Sequence, residues 1–248
     1  MSTSRSAPRF SLVIPAYNEA NWLPALLDTV DAARAQYRGG ADAIEVIVAN
    51  NASTDETAAI AKRRGCRVAQ VEKRMIAAAR NGGAAIAQGE FVCFIDADSR
   101  IHADTFNAID AMLARGNVIV GATGVRPERW SPGILVTWLI AIPLLYLMNM
   151  DAGVVFCRRT DFAEIGGYNE TLHYAEDLQL LSNLKRRGRD RGQRFGRSRG
   201  VVTITSSRKF DKHGDWHFLT MMPRIAFWML FNKTRADHEF RAYWYEDR

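Results

Sequence analysis

Phe91-Val-Cys-Phe-Ile-Asp-Ala-Asp-Ser99 is the stretch on which the fold turns. A mostly apolar, β-favouring run ends abruptly in two carboxylates one residue apart, the pattern of a buried strand delivering Asp96 and Asp98 to an open sheet edge. Side chains at i and i+2 of an extended segment point the same way. Both carboxylates can therefore face one hard divalent cation, with a ligand's phosphates supplying further oxygens, as magnesium or manganese sites prefer. The competing reading is that the pair caps the next helix, which starts near His102 to Asp104. Either way the carboxylates need partners, because burying them unpaired is costly.

Working outward toward the N-terminus, Phe10 to Pro15 reads as a strand stopped by proline, followed by the loop Ala16 to Glu19. A helix over 21–36 follows, with Leu23, Leu26, Leu27 and Val30 at helical spacing. A second strand, Ala43 to Val48, breaks into Asn50-Asn-Ala-Ser-Thr-Asp55, where Ser53 and Glu56 have the spacing of a capping box opening a helix that runs to Arg64. A short strand at Arg67 to Val71 and an alanine-rich helix from Met75 to Ala87, closed by Gly89, lead into the opening stretch. Strand and helix alternate, as in a parallel sheet covered by helices on both faces. Ligands of such sheets bind outside the carboxyl ends of the strands. Loops 16–19, 50–55 and 96–98 all fall on that edge, which points to a nucleotide or another phosphate-bearing ligand.

Toward the C-terminus come a helix near Ala103 to Ala114 and a strand at Val118 to Ala122. Ile134 to Met150 is almost wholly apolar and contains Trp138, Pro143 and Tyr146. It sits at the lower limit of a membrane span and has a proline near its middle. It reads as a buried or interface-lying segment, with burial in the core favoured. Val154 to Cys157 is strand-like, Gly166 to Glu170 is a turn, and Glu176-Asp177 opens a helix carrying Leu178, Leu180, Leu181 and Leu184 before Gly188. Acids in a first helical turn are electrostatically favoured, so capping alone accounts for Glu176 and Asp177 as well as chemistry does. The last clear strand is Val201 to Thr205, and Trp216 to Phe231 is aromatic and methionine-rich, interrupted by Pro223-Arg224.

With 248 residues, 48% hydrophobic and 24% charged, the chain fits one α/β domain. No repeat or linker divides it. The expected layout is a nucleotide-binding half over 10–122, an acceptor half over 123–215 and an extension over 216–248. The formal charge is +6, and much of the excess lies between Lys185 and Arg199. That run is expected to be a solvated, mobile loop. Alternatively it joins Trp138, Tyr146, Trp216 and Trp228 in docking on an anionic membrane. Cys66, Cys93 and Cys157 are far apart, which argues for reduced thiols in a cytosolic setting and against a disulfide framework or zinc site. Met1 to Arg9 lacks the apolar core of a signal peptide. Acids clustered at the strand ends disfavour a nucleic-acid backbone lying across that edge.

These stretches together resemble the family 2 glycosyltransferases of the GT-A fold. The resemblance rests on Val13-Ile-Pro-Ala-Tyr-Asn-Glu19, Asn51-Ala-Ser-Thr-Asp55, Ala79-Arg-Asn-Gly82 with Gly89-Glu90, Phe94-Ile-Asp-Ala-Asp98, Gly166-Gly-Tyr-Asn-Glu170 and Glu176-Asp177, in this order over roughly residues 10–190. It implies a Rossmann-like, mostly parallel sheet and transfer of a sugar from a nucleotide-sugar to a hydroxyl acceptor, lipid-linked or a glycan, with inversion. It implies that Pro15, Ala16, Tyr17 and Glu19, with Asn50, Asn51, Ser53 and Asp55, line the base and ribose. Arg80 and Asn81 then lie beside the nucleotide, Asp96 and Ala97 at the ribose, and Asp98 on a divalent metal, manganese or magnesium. Gly153, Arg208 and Lys209 complete the donor site, His213 is a second candidate for the metal or else a solvated loop histidine, and Glu176 and Asp177 form the catalytic pair with Asp177 as general base. The expected place of action is cytoplasmic, free or peripheral on the inner face of the membrane. The chain departs from the family pattern at Asn50, where aspartate is common. Asparagine keeps a carbonyl acceptor but loses the charge, so this position specifies the base less firmly than aspartate would. A UDP-sugar is the favoured donor. Two alternatives stay open: nucleotidyl transfer to a sugar phosphate, which uses a glycine-rich basic loop where this chain has Pro15-Ala-Tyr-Asn-Glu19, and a non-catalytic binding module.

Overall fold

A computed structural model describes residues 7–147, 153–172 and 175–231, together with Arg235 and His238. Its strands are β1 (Phe10–Ala16), β2 (Ile44–Asn50), β3 (Arg67–Gln70), β4 (Phe91–Phe94), β5 (Val118–Pro127), β6 (Val155–Arg158) and β7 (Arg194–Thr205). They form one sheet in the order β3-β2-β1-β4-β6-β5-β7, in which β6 alone runs antiparallel to its neighbours. The helices are α1 (Leu23–Gln36), α2 (Thr57–Arg63), α3 (Ile76–Ala85), α4 (Thr105–Leu113), α5 (Pro132–Leu147), α6 (Arg159–Glu164), α7 (Glu176–Arg189), α8 (Arg208–His213) and α9 (His217–Phe231).

The central strand β1 is buried along its whole length, as a parallel strand covered on both faces must be. Its alternate side chains enter two cores. Phe10, Leu12 and Ile14 meet Leu23, Leu26 and Leu27 of α1 and Phe106 and Ile109 of α4. Val13 turns the other way, joining Ala77 and Ala79 of α3 and Leu180, Leu181 and Leu184 of α7. The alanines of α3 let that helix lie close on the sheet, and a Cβ on Gly83 would stand 2.4 Å from Val13 Cγ1. The expected mostly parallel sheet flanked by helices is therefore observed. All three cysteines are free, and burial pushes the thiols of Cys93 and Cys157 well up, while that of Cys66 reaches about 11.

Three expectations need correction. The basic run Lys185 to Arg199 is not a mobile loop: its first part is the end of α7 and its second the start of β7, which pairs with β5 from Val118 onward. Gly196 and Ser198 are buried there while Arg194 is exposed, and Arg187 and Arg191 both bond the buried Asp161 at 2.9 and 2.7 Å. A strand can carry many arginines when its backbone is paired and their stems lie along the surface. Second, the capping box is not made. Ser53 Oγ accepts from the Asn18 amide at 3.1 Å, and Asp55 Oδ1 accepts from the Thr57 amide and hydroxyl at 2.9 and 2.5 Å instead. Third, the apolar segment after Ile134 forms α5 but is not core. Among its described side chains Ile134 and Thr137 are buried, as is Gly133, while Leu135, Leu139, Ile140 and Tyr146 are exposed. Met148 to Met150 lie outside the described residues. Among the described residues no helix is long and apolar enough to cross a membrane.

Candidate active site

The parallel strands β1, β2 and β4 run in one direction, so the loops that follow them share one edge. After β1 the chain turns at Asn18, whose φ of 52° is left-handed, a conformation asparagine tolerates. The Thr57 hydroxyl accepts the Glu19 amide at 2.8 Å and Asp55 Oδ2 accepts the Ala20 amide at 3.0 Å. Ser53 and Asp55 thus brace the first loop against the second. Between these loops and the end of β4 lies an open cleft. Pro15, Ala16, Tyr17, Glu19 and Asn51 line one side of it, and Asp96, Ala97, Asp98 and Arg208 another.

Two arginines organise the carboxylates. Arg80, from α3, donates through Nη1 to Asp177 Oδ1 at 2.9 Å and Glu176 Oε1 at 3.2 Å, and through Nη2 to Asp96 Oδ1 at 3.2 Å. Its guanidinium also lies 5.0 Å from the centre of the Tyr168 ring. Arg208, from α8, forks onto Glu19 at 2.8 and 3.0 Å while its Nε reaches Asp98 Oδ2 at 2.9 Å. Asp96 and Asp98 therefore turn to different arginines, and neither caps α4, whose cap residue is Asp104. Glu176 and Asp177 do sit in the first turn of α7, but their carboxylates are drawn to Arg80, so the capping account of them is incomplete. Burial alone would lower the Arg80 pKa; Asp177, Tyr168, Asp96 and Glu176 outweigh it and hold the guanidinium well above its usual value. Burial likewise opposes the charge on Arg208, but bonding to Glu19 and the field of Asp98 raise its pKa.

Glu176 is raised above the ordinary carboxylate value of 4.5, first by burial and then by Asp177, against the pull of Arg80. A carboxyl raised by folding contributes stability below its unfolded pKa, and that contribution is lost as pH rises through the folded pKa. Glu176→Gln is accordingly expected to gain thermal stability relative to wild type as pH climbs above 4.5, visible as a widening Tm difference in melts at several pH values. A difference independent of pH would remove Glu176 as the strained member of the cluster.

Several predicted residues serve the site from behind. Asn81 clamps the Gly166 to Glu170 turn, donating to Tyr168 O at 2.9 Å and Glu170 Oε1 at 3.0 Å while its own Oδ1 accepts the Tyr168 amide at 2.9 Å. Gly167 (φ 69°) is needed there, since a Cβ would stand 2.6 Å from Asn81 Oδ1. Asn50 is buried and gives its Nδ2 to Gln70 Oε1 at 2.8 Å, and Gly153 packs on Thr123 and Gly124 of β5; neither lines the cleft. Lys209 follows Arg208 on α8, and His213 is exposed at that helix's end with its ring 5.5 Å from His217. Among the described residues no three His, Cys, Asp or Glu side chains are grouped to hold a metal ion. The sequence reading missed Arg74, which lines the cleft and lies 4.1 Å above the Tyr17 ring, and Tyr168 beneath Arg80. Arg74 was discoverable, because it follows β3 on the same edge.

Residues 11–163 match the model of the family described as glycosyl transferase family 2. The chain belongs to this family. Among its relatives, PGL/p-HBAD biosynthesis glycosyltransferases of Mycobacterium bovis and Mycobacterium tuberculosis are 30% identical over 179 residues, 66% of this chain. The alignment spans 64% of the length of those relatives. The fold is matched by TarS of S. aureus (TM-score 0.62, 21% identity, 84% of this chain and 63% of that one). It is matched too by the mannosyltransferase PcManGT of Pyrobaculum calidifontis, solved with GDP-Man and Mn2+ (TM-score 0.60, 24% identity, 80% and 57%). Glucosyl-3-phosphoglycerate synthase of Mycobacterium tuberculosis follows at TM-score 0.57 and 19% identity, over 84% and 76%. The architecture is that of the GT-A glycosyltransferases.

Proposed function

We propose that the cleft binds a nucleotide-sugar and that the protein transfers its sugar, with inversion, to a hydroxyl acceptor that is lipid-linked or part of a glycan. The observation that carries this reading is the gathering of Asp96, Asp98 and Asp177, from two distant parts of the chain, around Arg80 and Arg208 at the carboxyl edge of the sheet. Tyr17, Ala16 and Asn51 receive the base and ribose, with Asp96 at the ribose hydroxyls. Arg208 and Lys209 supply positive charge where the diphosphate departs, the point at which negative charge builds. Asp177 takes the proton of the acceptor hydroxyl on the face opposite the leaving group, as inversion requires.

Asp98 is a hard oxygen donor in the cleft wall, which suits manganese or magnesium shared with the donor's phosphates. Bound there, such an ion would stabilise the charge of the departing diphosphate as a Lewis acid. His213 remains a second candidate for that ion. TarS has been solved with UDP-GlcNAc, and PcManGT with GDP-Man and Mn2+, both consistent with a nucleotide-sugar. A UDP-sugar is favoured for this chain.

A panel of nucleotide-sugars, assayed with Mn2+, Mg2+ or chelator, tests the reading. Metal-dependent release of a nucleoside diphosphate is expected. Release of pyrophosphate would instead identify a nucleotidyltransferase, and donor binding without turnover a binding module. Asp98→Ala is expected to weaken metal-dependent donor binding by about 10- to 100-fold or more, since even outer-shell partners of metals are worth that much. Titration calorimetry giving wild-type affinity in Mn2+ would rule out Asp98 as the ligand.

A further inference from the structure

The sixteen residues of α5 contain no charged side chain, and Pro132, Leu135, Leu139, Pro143 and Tyr146, spaced three or four apart, are all exposed on one stripe. Leu139 is 66% exposed and Ile140 58%. On α9, Phe227 and Phe231, one turn apart, are exposed on one face with Met222 exposed to the side, while Met221 and Ile225 are buried. The two helices start from one corner: a Cβ on Gly133 would stand 2.6 Å from Asp215 O, and Arg129 bonds both Asp211 and Asp215 at 2.6 and 2.7 Å. An exposed apolar area of this kind marks an interaction surface.

We propose that these two exposed faces form a peripheral docking surface for an anionic lipid bilayer, entering the headgroup layer without crossing it. Charge and aromatic placement select this occupant. Trp130 and Trp216 are half-exposed beside the helix starts and Tyr146 near the far end of α5, the amphipathic rings favoured at a membrane interface. Arg197 lies 4.2 Å from the Tyr146 ring, and Arg224 is exposed on α9 itself. Lys212 precedes α9, and the two acids beside it, Asp211 and Asp215, are both bonded to Arg129. Cationic side chains at the rim reach headgroup phosphates while their stems stay on the apolar face. A two-fold contact with a second copy would set this same cationic rim against itself, which disfavours that occupant.

The surface is one short helix away from the cleft. α8 carries Arg208 into the site, and its Phe210 packs on His217 and Phe218 at the start of α9, with ring centres 5.0 and 5.5 Å apart. The docking itself depends on no part of the catalytic reading.

The test is co-sedimentation of the full chain with vesicles of phosphatidylcholine alone and of phosphatidylcholine mixed with phosphatidylglycerol. Binding is expected to be about tenfold or more stronger on the anionic vesicles and to weaken with salt. The double variant Leu139→Glu/Ile140→Glu, and separately Phe227→Glu, should each lower that binding by about tenfold or more while leaving Tm unchanged, since all three side chains are exposed. Protein remaining in the supernatant with both lipids overturns the proposal. So does vesicle binding that these variants leave untouched, or self-association in ultracentrifugation that they abolish without any lipid binding.

Discussion

Asp177→Asn is expected to cut turnover by about 10²- to 10⁴-fold or more, the usual contribution of a general base, while donor affinity stays near that of wild type. The geometry explains why the two effects separate. Asp177 Oδ1 is fixed by Arg80 Nη1 at 2.9 Å, yet the side chain is 42% exposed, so it is held from below and open above. Asparagine has nearly the same shape and keeps a carbonyl oxygen for Arg80, so the cleft should persist. What it loses is the ability to take a proton. The loss should fall on kcat, with KM and the calorimetric donor Kd little changed, as for an interaction made in the transition state alone. Unchanged kcat would remove Asp177 as the base. Glu176 is not an equivalent replacement, because its carboxylate is only 11% exposed and is turned onto Arg80.

The sheet was legible because buried strands and helices leave different periods. β1, β2, β4 and β6 are short apolar runs, and α1 shows its core face at helical spacing. What failed was whatever depended on a partner far away in sequence. The first half of β7 reads as a basic loop because its strand character comes from pairing with β5, more than seventy residues earlier. The apolar run of α5 reads as core because hydrophobicity reports preference for an apolar surrounding, not which surrounding is present. The same limit applied to the site. Strand-end loops identified Asp96 and Asp98, whereas nothing local shows that Arg80 joins Asp96 to Glu176 and Asp177 across a gap of ninety-six residues. Asn81 and Asp55 were found as residues of interest, but their amide and carboxylate are spent on the turn and the loop brace.

Arg80→Met is expected to destabilise the fold by about 3–5 kcal/mol, the range seen when one partner of a buried ion pair is removed. For a chain of this size that corresponds to a Tm drop of roughly 10 °C. Arg80 is buried between the Tyr168 ring and three carboxylates, and methionine fills much of its volume without its charge. Asp96 and Asp177 are half open to water, so solvent screens them once the arginine is gone. Glu176 has no such recourse and carries most of the effect. The destabilisation should therefore be larger at pH 8 than at pH 5, because Arg80 opposes a shift that burial and Asp177 already drive upward, and its loss favours the protonated acid further. Adding Glu176→Gln to Arg80→Met should recover part of the lost Tm, a non-additivity expected only of residues in direct contact. Arg80→Lys should fall between the two, since one ammonium cannot reproduce the fork that reaches α7 and β4 together. Strict additivity of Arg80→Met and Glu176→Gln, or a Tm within 2 °C of wild type, would mean that the carboxylates keep their places without the arginine. The base would then owe its position to α7 alone.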